Sequence, residues 1–201
     1  SGTAAGNQKK QGISITRKLT TSAVLIAQSV ELAWVSKIIP APWLQGGSIT
    51  FASMVPIIVV SLLFDVKWGL LASLAYSIIQ YILDPAAPPT QTIGYYVLVI
   101  LLDYVFAFGV LGLAGPFYKL FGKRTWAIPV SGAIVTTLRY VCHIASGVLI
   151  WGVYAPEGQG IWAYSLIYNG TYMIPEIIIT TVVLALLSGF LQKAIKKQSL
   201  V

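Results

Sequence analysis

Apolar residues run along this chain in six blocks separated by short polar or proline-rich connections, and most of the blocks approach the roughly 20 residues a membrane-crossing helix needs. They predict spans over residues 19–39, 48–64, 68–83, 93–118, 127–151 and 164–191. Pro40 and Pro42 stop the first, a tight FDVKWG turn divides the second from the third, and DPAAPPTQT breaks the chain after the third. Within the fifth block, RYVCHIASGVLIW, the residues Arg139, His143, Gly147 and Trp151 recur every fourth position and therefore share one slowly drifting helical stripe. Charged or titratable groups in a lipid-facing segment cost about 2.5 kcal/mol or more each at the helix centre, so they face a bundle interior, a partner or a cavity. The stripe predicts a ligand pocket.

Composition confirms the class. With 57% hydrophobic and only 9% charged residues, and a mean hydropathy of +0.80, the chain is an integral membrane protein rather than a soluble domain. Its 201 residues hold one six-transmembrane-helix bundle and no second domain. Residues 1–18 read as a disordered tail, in part an expression remnant, residues 19–192 as the all-α transmembrane domain, and residues 193–201 as a basic tail. The net charge of +7 does not imply nucleic acid, because the cations stand at span ends and are not interleaved with aromatics in a polar groove.

Those cations instead orient the bundle. Lys9, Lys10, Arg17 and Lys18 precede the first span, Lys67, Lys119, Lys123 and Arg124 mark alternate connections, and Lys193, Lys196 and Lys197 follow the last. The loops at residues 40–47, 84–92 and 152–163 hold no Lys or Arg. Both termini are therefore expected in the cytoplasm and the cation-free loops on the outer face.

The polar residues inside the spans gather toward that outer side. Tyr96 and Asp103 lie seven apart on the fourth span, and so on one helical face, with Tyr104 beside the acid; Tyr164, Tyr168, Asn169 and Tyr172 occupy the outer half of the sixth. A membrane carboxylate with no basic residue on its own face needs a partner from another element or a cationic ligand, which makes Asp103 the central candidate. Arg139 and Glu176, near the middles of neighbouring spans, are expected to neutralise each other as an ion pair, and Glu31 either joins them or pairs with Lys37. Trp43 belongs either to the membrane interface or over the pocket, while Tyr95, Trp126 and Trp162 fit an interfacial belt. Ala23 and Ala27 form a small-xxx-small pair suited to close helix contact within the bundle or with another subunit.

Several chemistries are excluded or unsupported. One His and one Cys make no metal set. GKRT at Gly122 has Phe117 where a phosphate-binding loop needs glycine, so the chain does not hydrolyse ATP that way. No nucleophile stands with a base on a matching face, since Cys142 and His143, as helix neighbours, point about 100° apart. No enzyme and no cofactor are expected. Asn169-Gly-Thr171 has the form of a glycosylation sequon but opens a span.

GGSITFASMVPIIVVSLLFDVKWGLLASLAYSIIQYILDP, LLDYVFAFGVLGLAG, HIASGVLIW and the segment from Tyr164 to Asn169 together resemble the thiamine-specific substrate-binding subunit, or S component, of energy-coupling factor (ECF) transporters. The resemblance covers essentially the whole chain after residue 18. It implies a prokaryotic cell-membrane protein that captures thiamine at high affinity from outside. It also implies a transmembrane coupling subunit (T component) and two cytoplasmic ATPases that drive release inward as the binding subunit topples in the bilayer. Carried over by position, it implies thiamine contacts at Asp103, Tyr104, His143, Gly147, Trp151, Tyr164 and Asn169, with Trp43 from the first outer loop and Tyr81 and Tyr96 as further candidates. Ala23 and Ala27 resemble the residues that meet the coupling subunit. The family's acid is often Glu, so Asp103 reaches about one methylene less far. Thiamine's cationic thiazolium and flat aminopyrimidine call for a carboxylate, ring faces and hydrogen-bond partners, which these residues supply. An S component for another vitamin, a stand-alone proton-coupled carrier using Asp103, His143, Arg139 and Glu176 as a relay, and a membrane enzyme remain the alternatives.

Overall fold

A computed structural model describes residues 13–38 and 49–199; Trp43 lies outside them. The described residues form helices and no strand. We number the helices α1 (Ile15–Ser36), α2 (Val55–Leu63), α3 (Val66–Leu83), α4 (Ile93–Leu120), α5 (Ala127–Tyr154) and α6 (Ile161–Ser199). All except α2 are long and apolar enough to cross a membrane.

Local capping moves several boundaries away from those the apolar blocks predict. Helix α1 starts at Ile15, inside the expected tail, because the Ser14 hydroxyl accepts from the Arg17 N–H at 3.3 Å and so satisfies one of the free first-turn donors. At the other end of the chain α6 continues to Ser199, so residues 193–199 extend the helix instead of forming a tail. The second block differs most. Its helix is only nine residues long, about 14 Å at 1.5 Å per residue, because Pro56 fixes its first turn and residues 51–54 form a turn with Ala52 at φ 59°. Every residue of α2 except Leu63 is buried, which makes it the centre of the bundle rather than a lipid-facing span.

Helix α2 meets α3 and α4 where small residues allow the backbones to touch. The Ser61 hydroxyl donates to the Gly112 carbonyl at 2.6 Å and accepts from the Gly115 N–H at 2.9 Å. A Cβ on Gly112 would stand 2.8 Å from the backbone of Gly69 and Leu70, and one on Gly115 would stand 2.3 Å from the Ser61 carbonyl oxygen. Such contacts require glycine because no side-chain rearrangement can relieve them.

Side-chain bonds define two ends of the bundle. At the basic end, Gln192 Nε2 donates to the Lys123 carbonyl at 2.9 Å, joining α6 to the α4–α5 connection. Lys18 Nζ bonds Asp65 Oδ2 at 2.8 Å, and Asp65 Oδ1 caps α3 by accepting from the Trp68 N–H at 3.0 Å. The Lys18 ammonium and then this N–H hold the Asp65 carboxyl below its ordinary range. A depressed folded pKa adds stability that is complete above the unfolded value, about 3.9, and is lost as pH falls through the folded one. Asp65→Asn, which keeps the cap, is therefore expected to lower the thermal midpoint slightly at neutral pH, with the difference closing on acidification through the carboxylate range. Because Asp65 is 51% exposed, the effect should stay below about 1 kcal/mol; a constant offset at all pH values would contradict the ion-pair origin.

At the opposite end Lys37 pairs with Asp84 at 2.8 Å, not with Glu31, which faces outward on α1. The anticipated Arg139–Glu176 pair is absent as well. Glu176, 1% exposed on α6, accepts from the Thr50 N–H and thereby ties the segment before α2 to α6. Arg139 points elsewhere, toward Phe108 and His143.

Candidate ligand-binding site

The end marked by Lys37 and Asp84 opens into a cavity of about 480 Å³, within the usual range for small-molecule sites. Seven residues anticipated from the sequence line it: Asp103, Tyr104, His143, Gly147, Trp151, Tyr164 and Asn169. Tyr81 and Tyr96 are not among its lining residues. Tyr81 instead stands edge-on behind Tyr104, ring centroids 5.1 Å apart, and Trp43 lies outside the described residues.

Two π-turns explain the arrangement. Helix α4 widens into a π-turn over Ile100–Phe106, carrying Asp103 and Tyr104, and α5 does so over Gly147–Trp151. In a π-turn the backbone bond runs from i to i+5, so each turn holds more residues than an α-turn and the later residues rotate out of the α-helical stripe. Asp103 is thereby separated in facing from Tyr96, seven residues earlier. Trp151 sits over Ser146, five residues before it, to whose hydroxyl its indole Nε1–H donates at 3.1 Å.

Asp103 is the hub. Its Oδ2 accepts from the Ser146 hydroxyl at 2.6 Å and from Trp151 Nε1 at 3.1 Å, while Oδ1 lies 3.0 Å from His143 Nδ1. Arg139 Nε–H donates to His143 Nε2 at 3.3 Å, which leaves the imidazole's Nδ1–H to donate to Asp103. Protein donors thus occupy three of a carboxylate's roughly four lone-pair sites, leaving one for a ligand donor.

Helix α6 supplies an aromatic wall. Tyr164 and Tyr168 stack with centroids 5.8 Å apart, Tyr168 meets Tyr172 edge-on at 6.1 Å, and Tyr172 meets His143 at 5.8 Å. On α5, Trp151 stacks with Tyr154 at 6.4 Å. Tyr104 is fixed from the connection that follows α3: its hydroxyl donates to the Asp84 carbonyl and accepts from the Ala86 N–H at 3.0 Å. Asn169 spends its amide on structure, donating to the carbonyls of His143 at 3.1 Å and Ser165 at 2.9 Å while the Tyr172 hydroxyl donates to its Oδ1. Gly147 lets α6 approach, since a Cβ there would stand 2.1 Å from the Ser165 hydroxyl.

Lining residues the sequence did not single out include Tyr76 and Gln80 of α3, Phe108 of α4 and Tyr154. Tyr76 and Gln80 are one helical turn apart, and polar side chains at that spacing in an apolar span are a legible signal. Ser146 falls off the every-fourth-residue stripe and only the π-turn brings it to the indole.

Membrane-length helices around a ring-lined, partly charged cavity define a multi-pass membrane protein that holds a small polar molecule. A family model described as "Thiamine transporter protein (Thia_YuaJ)" matches residues 19–196. The thiamine transporter ThiT of Bacillus subtilis (strain 168) is 35% identical over 193 residues, covering 90% of this chain and 93% of that protein. ThiT of Lacticaseibacillus paracasei is 34% identical over 96 residues, 43% of this chain and 48% of that one. A solved ThiT structure from Listeria monocytogenes superposes with a TM-score of 0.68 across 90% of this chain and 97% of that one, at 21% identity, a likeness of fold. The chain belongs to the thiamine transporter protein family, whose members are transport proteins and not enzymes.

Proposed function

We propose that the chain captures thiamine at high affinity from the outer face of the membrane, as the substrate-binding subunit of an ATP-driven ECF-type importer with both termini in the cytoplasm. The observation that carries this reading is Asp103: a carboxylate 15% exposed, oriented by three donors, beside the faces of Trp151, His143 and the α6 tyrosines. Its remaining acceptor site suits the exocyclic amine of an aminopyrimidine, and its charge offsets a thiazolium. The rings supply stacking and cation–π contact, each of the latter worth about 2 kcal/mol when desolvated. Tyr104 and Tyr164 orient the ligand, and Gly147 and Asn169 hold α5 against α6 beside it.

Coupling rests on other residues. Ala23 and Ala27 are exposed on one side of α1, a surface where small side chains permit close approach of a transmembrane coupling subunit. Two ATPases acting on that subunit then supply the energy, since this chain has no nucleotide-binding loop of its own.

The direct test is a titration of purified, ligand-free protein in detergent, following quenching of its Trp fluorescence by thiamine, with riboflavin and biotin as absorbance-corrected controls. Saturable submicromolar binding selective for thiamine is expected, and Trp151→Phe should remove much of the signal change. No response from folded, empty protein defeats the thiamine reading. Uptake into liposomes by this chain alone, without coupling subunit or ATPases, would instead establish a stand-alone carrier.

A further inference from the structure

A groove of about 310 Å³ opens on the outer surface of the bundle between α3 and α4, away from the central cavity, and its described lining residues are all apolar. Gly109 makes the notch. It sits between the π-turn at Ile100–Phe106 and a 3-10 turn at Val110–Leu113, and a Cβ there would meet nothing within 4 Å. Residues three apart eclipse in a 3-10 turn, so Val110 and Leu113 stand in line along one wall. Leu70 and Leu74, one helical turn apart, form the other. The close approach of Gly112 to Gly69 and Leu70 sets the register of the two helices, with Leu113 toward the basic end and Phe106 toward the middle of the membrane. Lys67 stands where the groove reaches the basic end. It is three residues before Leu70 and seven before Leu74, and so on their face of α3. The side chain is exposed, and no described carboxylate pairs with it, since Lys18 engages the neighbouring Asp65.

We propose that the α3–α4 groove holds one acyl chain of an anionic phospholipid whose phosphate rests on Lys67. An apolar slot between two membrane-length helices, headed by a cation at the surface, complements an amphiphile with a negative head. A transmembrane helix, about 10 Å across, fits the slot poorly. Close helix contact calls for small residues along the seam, and here Leu, Val and Phe side chains flank a single glycine. The site stands whatever the central cavity binds.

Native mass spectrometry of the full chain, delipidated in detergent and given dioleoylphosphatidylglycerol or dioleoylphosphatidylcholine at equal concentration, reads how many lipids are retained and at what occupancy. The unaltered protein should retain one phosphatidylglycerol in preference to phosphatidylcholine by about fivefold, the scale of one lysine at a charged surface. Gly109→Leu fills the notch without a clash and should bring retention of both lipids to background. Lys67→Gln should bring the preference toward one while phosphatidylcholine retention persists, and this surface change keeps the test decisive if the leucine variant does not fold. Lys123→Gln, at the basic end but outside the groove, should leave the preference as it was. No preference in the unaltered protein overturns the site, as does full retention in folded Gly109→Leu. Equal losses in Lys67→Gln and Lys123→Gln also overturn it, because they would mark diffuse surface charge. A dimer of the unaltered protein that Gly109→Leu abolishes would assign the groove to a second copy of the chain and overturn the lipid.

Discussion

Asp103→Ala is expected to weaken thiamine binding by well over tenfold while the bundle stays folded. The carboxylate contributes both a charge opposite to the thiazolium and a free acceptor, and a charge-assisted hydrogen bond alone is worth about 1.5–3 kcal/mol, where 1.4 is a factor of ten. Folding should survive because the side chain borders the cavity, so water can satisfy the Ser146, Trp151 and His143 donors it leaves behind. Asp103→Asn separates the two contributions. It keeps the shape but turns an amide toward donors, so it should fall close to the alanine variant if charge and acceptance both matter. Fluorescence titration gives the affinity and size-exclusion chromatography the fold. An unchanged dissociation constant would remove the acid from the site.

The second large effect falls on stability, away from the ligand. Gly115→Val and Gly112→Val should strongly reduce the yield of monodisperse protein or lower its thermal midpoint sharply, since their Cβ atoms would meet backbone at 2.3 and 2.8 Å. Overpacking costs about 1–3 kcal/mol where side chains can adjust, and more where helices must separate. Gly94→Ala and Gly109→Ala on the same helix are the matched controls, because a Cβ at either meets nothing within 4 Å. Those two should be neutral or slightly stabilising, as alanine favours helix over glycine by about 1 kcal/mol. Equal loss in all four variants would indicate that α4 tolerates no side chain for reasons other than the α2–α3–α4 contact.

The elements that were legible beforehand are those whose signal is local. Apolar blocks located the helices, and the spacing of Arg139, His143, Gly147 and Trp151 pointed to one wall of the cavity that all four line. What escaped depends on pairs distant in sequence or on departures from regular geometry. Lys37 and Asp84 are 47 residues apart, as are Lys18 and Asp65, and no helical period connects them. Glu176 looks like a partner for Arg139 when each is placed at mid-span, but the fold gives Glu176 a backbone N–H and leaves Arg139 facing the cavity. Periodicity assumed 3.6 residues per turn throughout, so it aligned Tyr96 with Asp103 and overlooked Ser146. The second block has the hydropathy of a span but not the helix length, because proline and a turn consume its first half.

The paired π-turns have a consequence for how such a protein changes over time. Each adds slack to the register of its helix at the level of the cavity, while the ends of that helix stay fixed by other contacts, such as the close backbone approach at Gly112 and Gly115 on α4. Loss of one residue within either turn would let it close to an ordinary α-turn with the flanking segments kept in register, re-aiming only the side chains that face the ligand. The architecture therefore lets ligand preference drift in a single step, independently of the contacts that keep the bundle assembled.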